Sequence, residues 1–507
     1  MQKQFNSLVK SIIIYGFGNV SVKLVGLVLL PLYTNPKFLS VNEYGALGIL
    51  DISAQILISI FSLSLYSAYV RWYWDKEFLN KRKSIFFSCF STLFILGVFL
   101  SVSGFFASGS LSFILFSNGS YKSAIFLMIL GASLQPLIDF TLTQMRVEEK
   151  PGYYITANII RLAVTLFATI WFLKYAHTGI AGIYEAQIIG NVFFLIITSR
   201  YIIRNIEFRF SFTILSDLVR FSLPLALAGF SNVLLVVFDR YVLNFKSTPL
   251  NVGIYTQGFK IANTTKVFIV SSVQLALAPA IFKIMNHPEH KMIYSKIMTW
   301  FTIIVVYFSL FLSLFGLEIT KIFTTGTIYF DAYKIIPILS LGIIFSMLKD
   351  VSITGLQITK RTRIIGLMIT GVAAFNLVVN LLLVPIWGIY GAASSSFISQ
   401  FVFFTILYIY AQKYYTIPYR LDKVGLIIVS GIILFLLGSC VNDQDLWIRI
   451  SVKTTALILF PIIIFTLRII DRSEIEMAFS LFKSIKGFFT TAKKEELPNQ
   501  VAGIDET

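Results

Sequence analysis

Ionisable and amide side chains set at helical spacing inside apolar stretches are the chemistry this sequence offers. Between Pro249 and Lys283, residues Gln257, Lys260, Asn263, Thr264, Ser271 and Gln274 recur at spacings of three, four and seven. At ~100° per residue they share one helix face, with Lys260 near its centre. The stretch is long and apolar enough to span a bilayer, which takes ~20 residues. A lysine at that depth needs a water-filled cavity, a partner or an anionic ligand. We therefore read this helix as lining a polar pathway through a membrane.

Other charges sit at comparable depth. Tyr15, Gly16, Asn19, Lys23 and Gly26 share a face of the first apolar span, and Asp51, Gln55, Ser62, Tyr66 and Tyr69 share one of the second. Lys23 with Asp51, and Asp239 with Lys260, read as two related acid–base pairs. Either they face a common lumen or they stitch neighbouring helices together. Lys266 lies ~120° round from Lys260, at the lumen edge or against another helix. Arg161 either lines the lumen or snorkels to a nearby helix end. Adjacent Lys349 and Asp350 can neutralise each other, and Arg240 reads as an anchor at the membrane interface. Arg71 and Arg146 close their spans; they either set topology or capture a phosphate head group, for which the guanidinium fork is suited. A lumen carrying cations suits an anionic substrate.

Enzyme and metal chemistry find little support. No glycine-rich phosphate loop, HExxH or CxxC motif is present, and His177, His287 and His290 fall in loops. Cys89 and Cys440 lie within apolar segments and read as buried small residues.

The elements that must position these residues follow from composition. The chain of 507 residues is 56% hydrophobic and only 13% charged, about half the charge of a soluble protein, with mean hydropathy +0.80. The apolar runs give an all-α polytopic membrane protein of about 14 spans. Lysines and arginines collect in alternate loops, and this bias predicts cytoplasmic termini. It also accounts for most of the net charge of +17 without a nucleic-acid partner. After Arg468, Met477, Phe479, Leu481, Phe482, Ile485, Phe488 and Phe489 alternate with Lys483 and Lys486, predicting an amphipathic helix on the inner leaflet. The chain also repeats itself: NEYGALGIL matches LNVGIYTQG, and HTGIAGIYEA matches IWGIYGAASS. Gly45 aligns with Gly253, Gly179 with Gly388 and Gly182 with Gly391, at offsets of 208–210 that Lys150 and Lys360 keep. The expected organisation is an N-terminal lobe over 1–205, a C-terminal lobe over 206–415, two extra spans over 416–470 and a cytoplasmic tail over 471–507. A substrate path is expected between the two lobes of six helices each.

Three stretches carry a family likeness: LLPLYTNPKFLSVNEYGALGILD, VRFSLPLALAGFSNVLLVVFDRYVLNF followed by NVGIYTQGFKIA, and NLVVNLLLVPIWGIYGAASSSFISQ. In them the chain resembles the Wzx-type polysaccharide flippases of the MOP exporter superfamily. The resemblance covers nearly the whole chain in loose motifs. It implies two V-shaped six-helix lobes that alternate access, and passage of an undecaprenyl-pyrophosphate-linked oligosaccharide between leaflets of a bacterial cytoplasmic membrane. It further implies a cationic lumen, for which Lys23, Lys260 and Lys266 stand in plausible positions, as lysine point charges rather than arginine forks. Membrane lipid and other polysaccharide assembly proteins are the implied partners, and no cofactor is expected. Coupling to a proton or sodium gradient stays open, since Asp51 and Asp239 could serve it. A lipid II flippase and a cation-coupled drug exporter of the same fold are the alternatives; a membrane polymerase or ligase would need a large external loop that the sequence lacks.

Overall fold

A computed structural model describes residues 26, 28–271, 273–274, 288–359 and 361–469. Lys23, most of the first expected span and the amphipathic tail lie outside these residues. The chain divides into two compact units, Met1–Arg420 and Leu421–Thr507. Among the described residues it is built from helices, and eleven of them are long and apolar enough to cross a membrane.

The first unit contains α1 Val41–Phe61, α2 Leu65–Tyr73, α3 Arg82–Phe116, α4 Lys122–Val147, α5 Pro151–Trp171, α6 Gly179–Arg204, α7 Phe212–Lys246, α8 Pro249–Ala262, α9 His290–Leu314, α10 Ile336–Ser352 and α11 Thr362–Tyr414. At 53 residues α11 would be about 80 Å long if straight, far more than one bilayer needs. It breaks at Gly388, whose φ of +53° and ψ of −124° are open to glycine without a side-chain clash. The run is therefore two helices that meet at that residue, one on either side of it, as the sequence leads one to expect here. Gly179, which aligns with Gly388 in the repeat, has φ +59°, and these two are the only glycines with positive φ among the described residues. The repeat thus extends from sequence to backbone conformation.

Local signals start α1 and α8 side by side. Ser40 caps α1 with a reciprocal box: the Ser40 amide donates to Glu43 at 2.8 Å and the Glu43 amide donates to Ser40 Oγ at 3.3 Å. Thr248 caps α8, accepting from the Asn251 amide at 3.3 Å, with Pro249 in the first turn where its missing N–H costs nothing. Gly45 sits against Pro249, where a built Cβ would come within 2.3 Å of the Pro249 carbonyl oxygen. One turn on, a Cβ at Gly48 would come within 2.5 Å of the Thr256 hydroxyl. Small residues here let two backbones approach without a hydrophobic driving force between them.

The opposite end gathers the basic loops. Arg82 Nε donates to the Tyr73 carbonyl at 2.8 Å, the Arg71 guanidinium lies 4.6 Å from the Phe221 ring, and Tyr201 donates to Glu148 at 2.8 Å. Between the two ends, α1 and α2 are separated by Leu63 and Ser64, both left-handed at φ 48°, a conformation costly for residues with a Cβ. The second unit is a hairpin of α12 Leu421–Ser439 and α13 Leu446–Thr466. Within it Lys423 is buried and its ammonium donates to the Ile469 carbonyl at 2.6 Å.

The close approach of α1 to α8 is testable. Gly45→Ala places a methyl against a carbonyl that cannot move without its helix, and is expected to cost about 1–3 kcal/mol. Gly366→Ala, with open space around its Cβ, should be neutral or stabilising by up to ~1 kcal/mol. Thermal unfolding of the detergent-purified variants measures both; equal melting temperatures would remove the tight-contact account.

Candidate functional site

Beside the α1/α8 contact lies a cavity of about 510 Å³. Asp51 and Gln55 enter it from α1, Arg240 from α7, and Lys260 from α8; Asn263 and Lys266 follow where the helix changes form. Three basic side chains thus face one carboxylate among its described lining. The helix breaks at Asn263 and runs on as a π-helical segment, Lys266–Val270. Wider i→i+5 turns shift the face along which side chains line up. Lys266, ~120° from Lys260 on a regular helix, nevertheless shares the cavity with it.

Asp51 accepts a hydrogen bond from the Tyr184 hydroxyl at 3.2 Å, and the cations acting on it are Lys260 and Arg240. Lys260 makes no ion pair within 4 Å with any described residue. Its ammonium instead rests 5.6 Å from the Tyr44 ring and 5.7 Å from the Tyr33 ring, inside the ~6 Å range of a cation–π contact. Arg240 is only 5% exposed. Its guanidinium stacks 4.2 Å from the Phe259 ring, and its Nε has no hydrogen-bond partner. An arginine held this way is costly unless something brings it negative charge.

Several expectations need correction. Asp239 does not pair with Lys260 and does not line the cavity. It is buried and accepts from the Tyr255 hydroxyl, from the Arg240 amide at 2.9 Å and from Ser396 at 3.3 Å. Residues 239 and 240 are adjacent, so they point ~100° apart, and the cavity takes only one of them. The one it takes is Arg240, expected from sequence to be an interface anchor. Among the described residues the acid–base relation is between Lys260 and Asp51, one from each repeat; Lys23, the partner expected for Asp51, lies outside them. Arg161 lies outside the cavity; it donates to Gln135 at 2.7 Å, which in turn donates to Asp139 at 2.8 Å, joining α5 to α4. Lys349 also lies outside, paired with Asp350 at 2.7 Å and 5.0 Å from the Phe403 ring.

At the end with the basic loops, Arg146 lines a second cavity of about 520 Å³ with Tyr66 and Trp74, and donates to Thr143 at 2.8 Å. Arg71 is exposed and packs on Phe221 rather than lining that cavity. Sequence reasoning missed Arg240, Tyr33, Tyr44, Tyr184 and Asp139 as site or membrane-buried groups. Tyr44 is the one with a readable signal, standing beside the repeat glycine Gly45. No group of His, Cys, Asp and Glu among the described residues could hold a metal ion.

The fold has known relatives. A structure of the lipid II flippase MurJ in an inward closed conformation superposes with TM-score 0.71 at 16% identity, over 90% of this chain and 99% of that one. A multidrug resistance MATE family transporter in an inward-facing conformation gives 0.62 at 16% identity, over 81% and 99%. A MOP superfamily transporter from Pyrococcus furiosus gives 0.60 at 15% identity, over 82% and 96%. No curated protein matches the chain by sequence. The family model described as polysaccharide biosynthesis protein matches residues 8–285. That segment contains the repeat helices α1 and α8 and all of the cavity's described lining. With more than half its length matched, this chain belongs to the polysaccharide biosynthesis protein family, a multi-pass membrane protein with the fold of the MOP superfamily transporters.

Proposed function

We propose that the protein flips an oligosaccharide repeat unit carried on undecaprenyl pyrophosphate from the cytoplasmic to the external leaflet, for surface polysaccharide assembly. The observation that carries this reading is the cavity's charge: among its described lining, Arg240, Lys260 and Lys266 outnumber the one carboxylate, Asp51. Binding is favoured for a compact multivalent anion, and a diphosphate supplies several acceptor oxygens for these donors. Arg240 brings the planar fork that lysine lacks. Gln55, Asn263 and Thr264 add neutral groups able to bond sugar hydroxyls. The lipid tail would stay in the bilayer while the head group crosses, by alternating access. Arg146, with Arg71 next to Val70 of the same cavity lining, would meet the head group first on the cytoplasmic face. On this reading the protein sits in a bacterial inner membrane with both termini cytoplasmic and acts as a transporter rather than an enzyme, with no cofactor. A proton or sodium gradient acting through Asp51 is the energy source we favour.

The MurJ likeness favours lipid II as a second reading, since its head group presents the same pyrophosphate. A drug exporter for organic cations is disfavoured, because a cationic cavity repels such substrates.

Two measurements test the proposal. Lys260→Glu and Arg240→Gln should each lower surface glycan at least tenfold while the protein still reaches the membrane; normal glycan with either variant would remove the cation capture. In proteoliposomes, the purified chain should move labelled undecaprenyl-pyrophosphate oligosaccharide across the bilayer, with labelled lipid II as the competitor. Preference for lipid II would replace the first reading with the second, and movement of neither would refute both.

A further inference from the structure

Lys260 belongs to two neighbourhoods at once, the cavity and the end of the fold where α1 and α8 begin. That end is sealed: Thr34, Tyr44, Gln257, Thr324 and Tyr329 are each under 5% exposed. Its seal has two hydrogen-bonded arms, and both reach the segment Thr324–Thr325. In one, the Tyr44 hydroxyl donates to Gln257 at 2.9 Å and Gln257 donates to Thr324 at 2.7 Å. In the other, Thr34, next to Tyr33, accepts from the Thr325 amide at 3.1 Å. The Tyr44 ring also packs edge-on against Tyr329 at 5.2 Å between centroids. The two aromatic rings under the Lys260 ammonium are therefore Tyr44, the first member of one arm, and Tyr33, the chain neighbour of the other.

We propose that Lys260, resting on Tyr33 and Tyr44, is the latch that holds this end shut, and that a ligand drawing its ammonium into the cavity releases it. Physical reasons support a latch over a static contact. Without an anion, Arg240 and Lys266 repel Lys260 across the cavity, and the electron-rich ring faces are the attractive alternative. With an anion present the repulsion is screened, and a charge-assisted hydrogen bond competes with the rings. One ammonium cannot satisfy both, so occupancy of the cavity and closure of the end become opposed. Such a latch couples loading to opening through the differential affinity of the two states for the ligand. The nature of the releasing ligand rests on the anion-flipping function proposed above; the latch itself does not.

The test uses the full chain in lipid nanodiscs, with Cys89→Ala and Cys440→Ser removing the native thiols, and Thr34→Cys with Thr325→Cys reporting closure. The hydrogen bond from the Thr325 amide to the Thr34 hydroxyl shows that these two positions are neighbours when the end is shut, as a disulfide between them needs. Under a mild oxidant the pair should cross-link readily without ligand. Lys260→Gln should slow cross-linking about fivefold or more, Tyr33→Leu should slow it in the same direction, and Lys260→Arg, which keeps a cation for the rings, should restore it. Gel filtration of each variant checks folding, and the arginine variant separates loss of the cation from loss of structure. Unchanged cross-linking in both Lys260→Gln and Tyr33→Leu would overturn the latch whatever the substrate. Excess inorganic pyrophosphate should slow cross-linking with Lys260 present and have no further effect in Lys260→Gln. If pyrophosphate does nothing while Lys260→Gln still opens the end, the latch stands and the pyrophosphate ligand falls.

Discussion

The contact between Gly45 and the Pro249 carbonyl is the constraint on which the rest of the first unit depends. It brings together two helices that occupy the same place in the two repeats, at a distance no side chain would permit. From that shared start, Asp51 lies about two turns along α1 and Lys260 about three along α8, so both reach the same cavity from opposite repeats. Were the helices a side chain further apart, Lys260 would lose the Tyr44 ring and Asp51 would lose its cation. A missing Cβ thus decides an electrostatic arrangement several residues away.

The charges of the first unit divide by whether they find partners at home. Lys349 is neutralised by its neighbour Asp350, and Arg161 reaches Asp139 through Gln135. These are ways of tolerating ionisable groups among apolar helices, and they need no ligand. The cavity is different. Arg240 keeps an unbonded Nε, Lys260 has ring faces instead of a carboxylate, and one Asp51 serves both. Leaving cations under-compensated is expensive in a folded protein, and such expense is characteristic of sites that wait for an opposite charge. This contrast supports the anionic-ligand reading more strongly than the number of lysines does.

One break in the helices falls at this site, and others fall elsewhere in the repeats. A π-helical segment begins at the cavity residue Lys266, and the left-handed pair Leu63–Ser64 separates the part of the chain that carries Asp51 from the part near Arg71. Gly179 and Gly388 turn the chain at matching points of the repeats. Interruptions of regular helix are tolerated at membrane depth where protein or a cavity covers them.

Much of this was legible in the amino-acid order. Apolar runs of bilayer length, basic loops alternating with neutral ones, and glycines repeating at offsets of 208–210 determine a polytopic helical protein with internal duplication. These are properties of period, length and composition, which the chain states locally. The face containing Gln257, Lys260 and Asn263 was legible for the same reason. Pairing was not. Helical periodicity ranks residues around one axis but cannot say which neighbour each face meets, so the sequence suggests Asp239 as the partner of Lys260, whereas Asp51 and two tyrosines of the other repeat receive it. Nor could it decide which way Lys266 faces, or that Arg240 would point inward where its neighbour Asp239 points to Tyr255 and Ser396. Those outcomes belong to the tertiary structure, because burial and contact are set by how helices distant in sequence cross.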